Sequence, residues 1–202
     1  MESGPLGVHT ALVTSPLDPA SAATWVEPAV YEPARLAAVA RSGLLEAAKQ
    51  DSWDSLTALA ARLLHAPMAF LTVVDEDRSN WLATCGVDVT DVERPGGPVA
   101  GSFCQYVIAD RGPFAVSDAS VHPRTMRNPA VTDMGVRAWA GFPVVDSLGH
   151  ALGSFCVMDV AAREWSEDDL TTLGVLAQAA SSQISLFAAV RDNGQSFRDE
   201  LE

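Results

Sequence analysis

The spacing of apolar residues along the chain changes from helical to strand-like and back to helical. After Tyr31-Glu32-Pro33, the residues Leu36, Val39 and Ala40 make an apolar stripe; Pro33 suits a first helical turn and Gly43 a stop. A second helix is predicted from a cap at Asp51 or Ser52. Trp53, Leu56, Leu59, Ala60, Leu63 and Leu64 recur at helical spacing until Pro67 ends it. The pattern then shortens. Met68 to Val74 (MAFLTVV) reads as a strand, Asp75-Glu76-Asp77-Arg78 as a polar turn, and Asn80 to Thr84 as a returning strand. Residues 86–100, with Pro95, Gly96, Gly97 and Pro98, read as a loop. A short helix capped by Ser102 and a strand at Pro113 to Ser117 follow, then an irregular stretch from Asp118 to Asp133. Arg137 to Val145 and His150 to Met158 are two long strands joined by the hairpin loop Asp146-Ser147-Leu148-Gly149. Ser166 caps a last helix with an acidic first turn. Its apolar face carries Leu170, Leu173, Leu176, Ala177, Ala180, Ile184, Phe187 and Val190, ending near Arg191. Helices at both ends of an antiparallel sheet make an α+β domain.

Length and charge set the limits of this picture. With 202 residues and 48% hydrophobic content, the chain fits one domain with extensions. Residues 1–30 lack Lys and Arg, hold four prolines among small residues, and read as a flexible or strap-like extension; residues 31–191 are the domain and 192–202 a polar tail. A net charge of −13 argues against a nucleic-acid partner, because that affinity rests on Lys and Arg neutralising phosphates. The sequence has neither the basic start of a secretory signal nor a continuous apolar run of membrane-spanning length. Three widely spaced cysteines do not make a secreted disulfide framework. A cytoplasmic protein without a membrane is expected.

The tetrapeptide GSFC occurs twice, at 101–104 and 153–156. In the first copy Cys104 stands in the opening turn of a short helix, where a thiol pKa can fall; it is either simply packed or reactive. In the second, strand alternation puts Ala151, Gly153, Phe155 and Val157 on one face and Leu152, Ser154, Cys156 and Met158 on the other, which makes Cys156 a small buried hydrophobe. One string serves two structural roles. No histidine pairs with another histidine or a cysteine at metal-ligand spacing, so no metal site is expected. Asp118 and Asp133 bracket the irregular stretch as turn caps or as hydrogen-bond acceptors for a ligand, and Arg124 or Arg127 there is open to an anion. Trp81, Phe103, Trp139 and Phe142 supply aromatic surface suited to a core or a pocket.

Five segments in order carry a family resemblance: FLTVVDEDRSNW at 70–81, SFCQYVI at 102–108, VSDASVHPRTMRNPAV at 116–131, GVRAWAGFPV at 135–144 and GHALGSFCVMD at 149–159. Together the chain resembles the GAF domain, a ligand-sensing module related to PAS domains, over roughly residues 33–190. The resemblance implies terminal helices on one face of the sheet and a small-ligand pocket under the loop-rich middle on the other. It points to Phe103, Cys104, Asp118, Asp133 and Trp139 as ligand contacts. It leaves the ligand and any cofactor unknown. Covalent bilin is disfavoured, since no cysteine precedes a histidine, and the cyclic-nucleotide signature lacks its lysine, because Lys49 comes too early. The expectation is a stand-alone bacterial sensor without catalysis, a homodimer through its terminal helices, passing its signal to a partner protein. The alternative is a thiol redox sensor, or an enzyme like free methionine sulfoxide reductases, using Cys104 with another cysteine.

Overall fold

The computed structural model describes residues 25–89 and 92–199, with side chains up to Arg191. Helix α1 (Pro33–Ser42) stops at Gly43, whose φ of 65° is the left-handed conformation a stop requires. Helix α2 (Asp51–Leu63) starts without a side-chain cap, its N-cap being Gln50 rather than Asp51 or Ser52. Strands β1 (Met68–Val74) and β2 (Arg78–Cys85) form the predicted hairpin. Asp75 closes the turn by accepting from the backbone N–H groups of Asp77 and Arg78. The predicted loop 86–100 contains a short edge strand, β3 (Gly96–Pro98), paired with Arg78–Asn80. Glycine-rich sequence hides strands of this kind, which carry no side-chain pattern. Helix α3 (Cys104–Asp110), strand β4 (Phe114–Val116) and a single helical turn, α4 (Pro129–Thr132), make up the loop-rich middle. Strands β5 (Ala138–Val145) and β6 (Ala151–Asp159) close the sheet.

The sheet has the order β3-β2-β1-β6-β5-β4 with every pair antiparallel, so the first and last hairpins meet at β1 and β6 in its centre. Helix α5 (Glu167–Asp199) begins with a reciprocal cap. The Ser166 hydroxyl accepts from Asp169 N–H at 3.1 Å, and the Asp169 carboxylate accepts from Ser166 N–H at 2.9 Å. The helix runs past Arg191, so the residues read as a polar tail are largely helical.

Two cores lie on the two faces of the sheet. On one face Trp53, Leu64, Leu173, Ala177, Ala180 and Ile184 pack against Leu71, Val73, Phe155 and Val157. By length and apolar composition, Glu167–Arg191 of α5 would suffice to cross a membrane, although its stripe of Leu173, Ala177, Ala180 and Ile184 is buried on the sheet. The alternation predicted for β6 holds from Gly153 onward. A bulge at Val144/Val145 pairs Val145 with Ala151, so Leu152 turns to the helix face and Ala151 to the other, the reverse of simple alternation. The second core, on the loop side, gathers Val30, Phe70, Val74, Phe103, Val107, Ile108, Trp139 and Cys156.

The N-terminal boundary also differs from the sequence reading. Packing begins before residue 31: Val30 is fully buried, and Val26 and Ala29 lie against the loop-side core. Trp25 does not anchor this segment, since it is 70% exposed. The ties are polar. Arg35, buried in α1, donates to Val30 O at 2.9 and 2.6 Å and to Val74 O at 2.7 Å, joining the segment to the end of β1. The rest of the proposed extension, residues 1–24, lies outside the described residues.

Candidate functional site

Register determines what faces the loop side. Residues directly opposite in an antiparallel pair share a face. Phe70 pairs with Cys156, which pairs with Gly141; Thr72 pairs with both Ser154 and Trp81; Trp139 pairs with Met158. From these rows Phe70, Thr72, Trp81, Trp139, Cys156 and Met158 form the floor of a cavity of about 530 Å³, and residues of the segments 92–104 and 130–136 form its walls. The volume falls in the range typical of small-molecule sites. Its aromatic lining is organised in two pairs. Phe70 and Trp81 lie 4.9 Å apart by ring centroid, and Phe103 stands edge-on to Trp139 at 5.7 Å.

The two GSFC copies meet in this cavity. Cys104 and Cys156 both line it and both are almost completely buried. Around the Cys104 sulfur are the Ser154 hydroxyl at 3.0 Å, the Thr72 hydroxyl at 3.2 Å and the Ser79 hydroxyl at 3.8 Å. Ser102 accepts from the Cys104 backbone N–H at 3.2 Å, one residue earlier than a cap. The Cys156 thiol donates to the Cys104 sulfur, and with Ser102, Ser154 and Thr72 it outweighs burial, holding the Cys104 pKa down to about 6. Burial, together with that same hydrogen bond, pushes Cys156 up, so it stays a neutral donor. The floor thus combines a polarised sulfur with hydroxyls beneath an aromatic wall. Such a surface can hydrogen-bond a ligand or carry thiol chemistry.

The sequence candidates divide. Phe103, Cys104 and Trp139 line the cavity; Asp118 and Asp133 do not. Asp118 accepts from the Ser120 N–H at 3.0 Å and its hydroxyl at 2.6 Å, bonds that lower its pKa and make it a turn cap. Asp133 is exposed and accepts from the Thr132 hydroxyl. Arg124 is already paired with Glu27 and Asp110 and lies over the Tyr106 ring, so it offers no open anion site. Phe142 points to the helix side, next to Gly174 of α5. Sequence reasoning missed Thr72, Ser79, Arg78 and Arg94, all of which line the cavity. The first was hidden in an apolar strand and the arginines in stretches read as turn and loop.

A family model for the GAF domain matches residues 50–184, more than half of the chain. The chain belongs to the GAF domain family. A GAF domain is a signalling and sensor module. The chain is 32% identical over 155 residues to a cyclic di-GMP phosphodiesterase of Pseudomonas aeruginosa, covering 76% of this chain and 26% of that protein. It therefore spans about a quarter of that relative's length. Two solved GAF domains share the fold. One, from a phosphoenolpyruvate-protein phosphotransferase of Coxiella burnetii, matches with TM-score 0.58 and 18% identity, over 80% of this chain and 95% of that one. The other, the PixJ GAF domain of Thermosynechococcus elongatus in its blue-light absorbing form, matches with TM-score 0.54 and 16% identity, over 83% and 97%.

Proposed function

We propose that this GAF domain senses a small molecule without catalysing a reaction, acts in the cytoplasm, and passes the signal on as a homodimer to a partner signalling protein. The observation that carries the reading is the cavity. It is walled by aromatic and aliphatic side chains, with a few polar groups converging at its floor, the composition a small-molecule site uses. Gly97 provides the test. It pairs with Ser79, so its substituent points to the cavity face, and an added Cβ there meets nothing within 4 Å. Gly97→Trp is therefore expected to place its ring in the cavity, with circular dichroism checking that the fold is kept. Protein purified from its native cells is denatured, and the released small molecules are compared by mass spectrometry. A compound released by the wild type and missing from Gly97→Trp supports sensing; release that is equal in both, or absent from both, refutes it.

The homodimer rests on α5, which at 33 residues is about 50 Å long and exposes a second stripe, apolar except for Ser182. Val175, Ala179, Ser182, Leu186 and Ala189 recur at alternating spacings of four and three, the seam of a two-helix coiled coil, with Val175 61% and Leu186 66% exposed. Helix α1 contributes less than its stripe promised, because Val39 is buried in the domain's own core.

A second reading is favoured by one observation, that Cys104 and Cys156 line the same cavity. A hydroperoxide entering there would be attacked by the Cys104 thiolate, giving a sulfenic acid and the corresponding alcohol or water. The Cys156 thiol would then displace hydroxide from that sulfur, forming the disulfide and water. Loss of two hydrogens from the intact mass after peroxide, absent in Cys104→Ser, supports this thiol sensor. Turnover of free methionine sulfoxide would make it an enzyme. An unchanged mass and no turnover retire both.

A further inference from the structure

The charge of the cavity narrows its ligand. The chain carries 26 acidic and 13 basic residues, yet among the described residues no Asp or Glu lines the cavity, and the two charged residues that do are Arg78 and Arg94. Among the described residues neither forms an ion pair, whereas Arg111, Arg124, Arg163 and Arg191 all do. Arg78 is held in place by one weak bond, from its Nη2 to Arg94 O at 3.3 Å. Its Nε is buried and has no acceptor at all. A buried donor left without a partner is costly, so the arrangement is stable when something supplies the missing oxygen. A guanidinium fork matches the two oxygens of a carboxylate or phosphate, and no described carboxylate of the lining competes for it. Beside this charge the cavity offers flat apolar surface, from Phe70, Trp81 and Trp139.

We propose that the cavity takes a small organic anion, its charged oxygens meeting Arg78 and Arg94 and its planar, unsaturated body lying against the aromatic wall. The inference rests on reading the cavity as a ligand site. In a protein of net charge −13, anions are repelled from the surface in general, so the two unpaired arginines also provide selectivity by place.

The probes are 2-naphthoate and its neutral counterpart 2-naphthamide, which present the same ring with and without the charge. Both are titrated by calorimetry into the full chain and into Gly97→Trp, Arg78→Gln and Arg94→Gln. Arg94 is exposed, so its replacement leaves folding intact even if that of Arg78 does not. The wild type is expected to bind the carboxylate at least about tenfold more tightly than the amide, since a hydrogen bond to a charged group contributes more than that factor when desolvated. Arg78→Gln and Arg94→Gln should each cut that preference and leave amide binding unchanged, and Gly97→Trp should abolish both. Equal binding of the two probes to the wild type overturns the anion inference and leaves the sensing reading standing. A preference that survives in both arginine variants, or in Gly97→Trp, also overturns it. If neither probe binds, the anion inference falls, while the sensing reading is decided by the small molecules released from the native protein.

Discussion

Removing the Ser154 hydroxyl should raise the pKa of Cys104 and flatten the protein's stability above neutral pH. The Ser154 oxygen lies 3.0 Å from the Cys104 sulfur, and a hydroxyl donates more strongly than the neighbouring Cys156 thiol. A hydrogen bond to a charged group contributes about 1.5–3 kcal/mol, equivalent to roughly 1–2 pH units. The Cys104 midpoint should thus move from about 6 in the wild type to roughly 7–8 in Ser154→Ala. The sign for stability follows. The folded pKa lies below the ordinary value of 9.0, so the thiolate's contribution is complete above that value and is lost as pH falls through about 6. Three units of depression correspond to at most about 4 kcal/mol. Ser154→Ala should therefore lose more stability relative to wild type at about pH 8.5 than at about pH 5, where Cys104 is neutral in both. Thiolate ultraviolet absorbance against pH, in a Cys85→Ser background, reads the midpoint directly, because Cys156 stays protonated throughout. Urea unfolding at the two pH values reads the stability. A wild-type midpoint near 9, or a loss of stability in Ser154→Ala that is the same at both pH values, refutes the reasoning.

Two other predictions test the scaffold and the assembly. Arg35→Met keeps the length of the side chain but strips the donors from Val30 O and Val74 O; it should cost about 3 kcal/mol or more by urea unfolding, and a loss below about 1 kcal/mol would show that water replaces the guanidinium. Leu186→Glu puts a charge in the exposed α5 seam at its most exposed large apolar position and should turn a sedimenting dimer into a monomer, whereas a wild type that is monomeric at every concentration removes the homodimer.

The terminal helices and long strands are legible in sequence because each buries one face and exposes another. The stripe from Leu173 to Ile184 is buried at the predicted spacing, and Gly43 stops α1 where a left-handed residue is needed. Legibility fails where backbone geometry rather than side-chain pattern decides. The strand Gly96–Pro98 has no alternation to read, the bulge beside Val145 inverts Ala151 and Leu152, and α5 continues through Gly194, which as a residue type suits a stop.

The site shows the same division more sharply. Phe103, Cys104 and Trp139 are legible because they lie within family motifs and face the sheet, whereas Asp118 and Asp133, implied by the same resemblance, are claimed by local hydrogen bonds that sequence does not display. The meeting of the two GSFC copies lies beyond any local pattern. Cys156 reaches the cavity through the register that sets it opposite Phe70 and Gly141, and Cys104 through a helix laid across the strands from 52 residues away. Gly141 makes the encounter possible. It shares a face with Cys156, and a Cβ there would run into the Trp139 ring and come within 2.8 Å of the Cys156 Cβ. One missing methyl group thus sets where the cavity's aromatic wall and its second thiol stand. The residue after it, Phe142, points through to the other face and packs on Gly174 of α5. Adjacent residues of one strand therefore stand against the cavity-lining Trp139 and Cys156 on one side and the helix that carries the exposed seam on the other. A shift of Trp139 by a ligand would be felt at α5 through a single peptide unit between Gly141 and Phe142, because a close-packed interior passes on displacement rather than absorbing it.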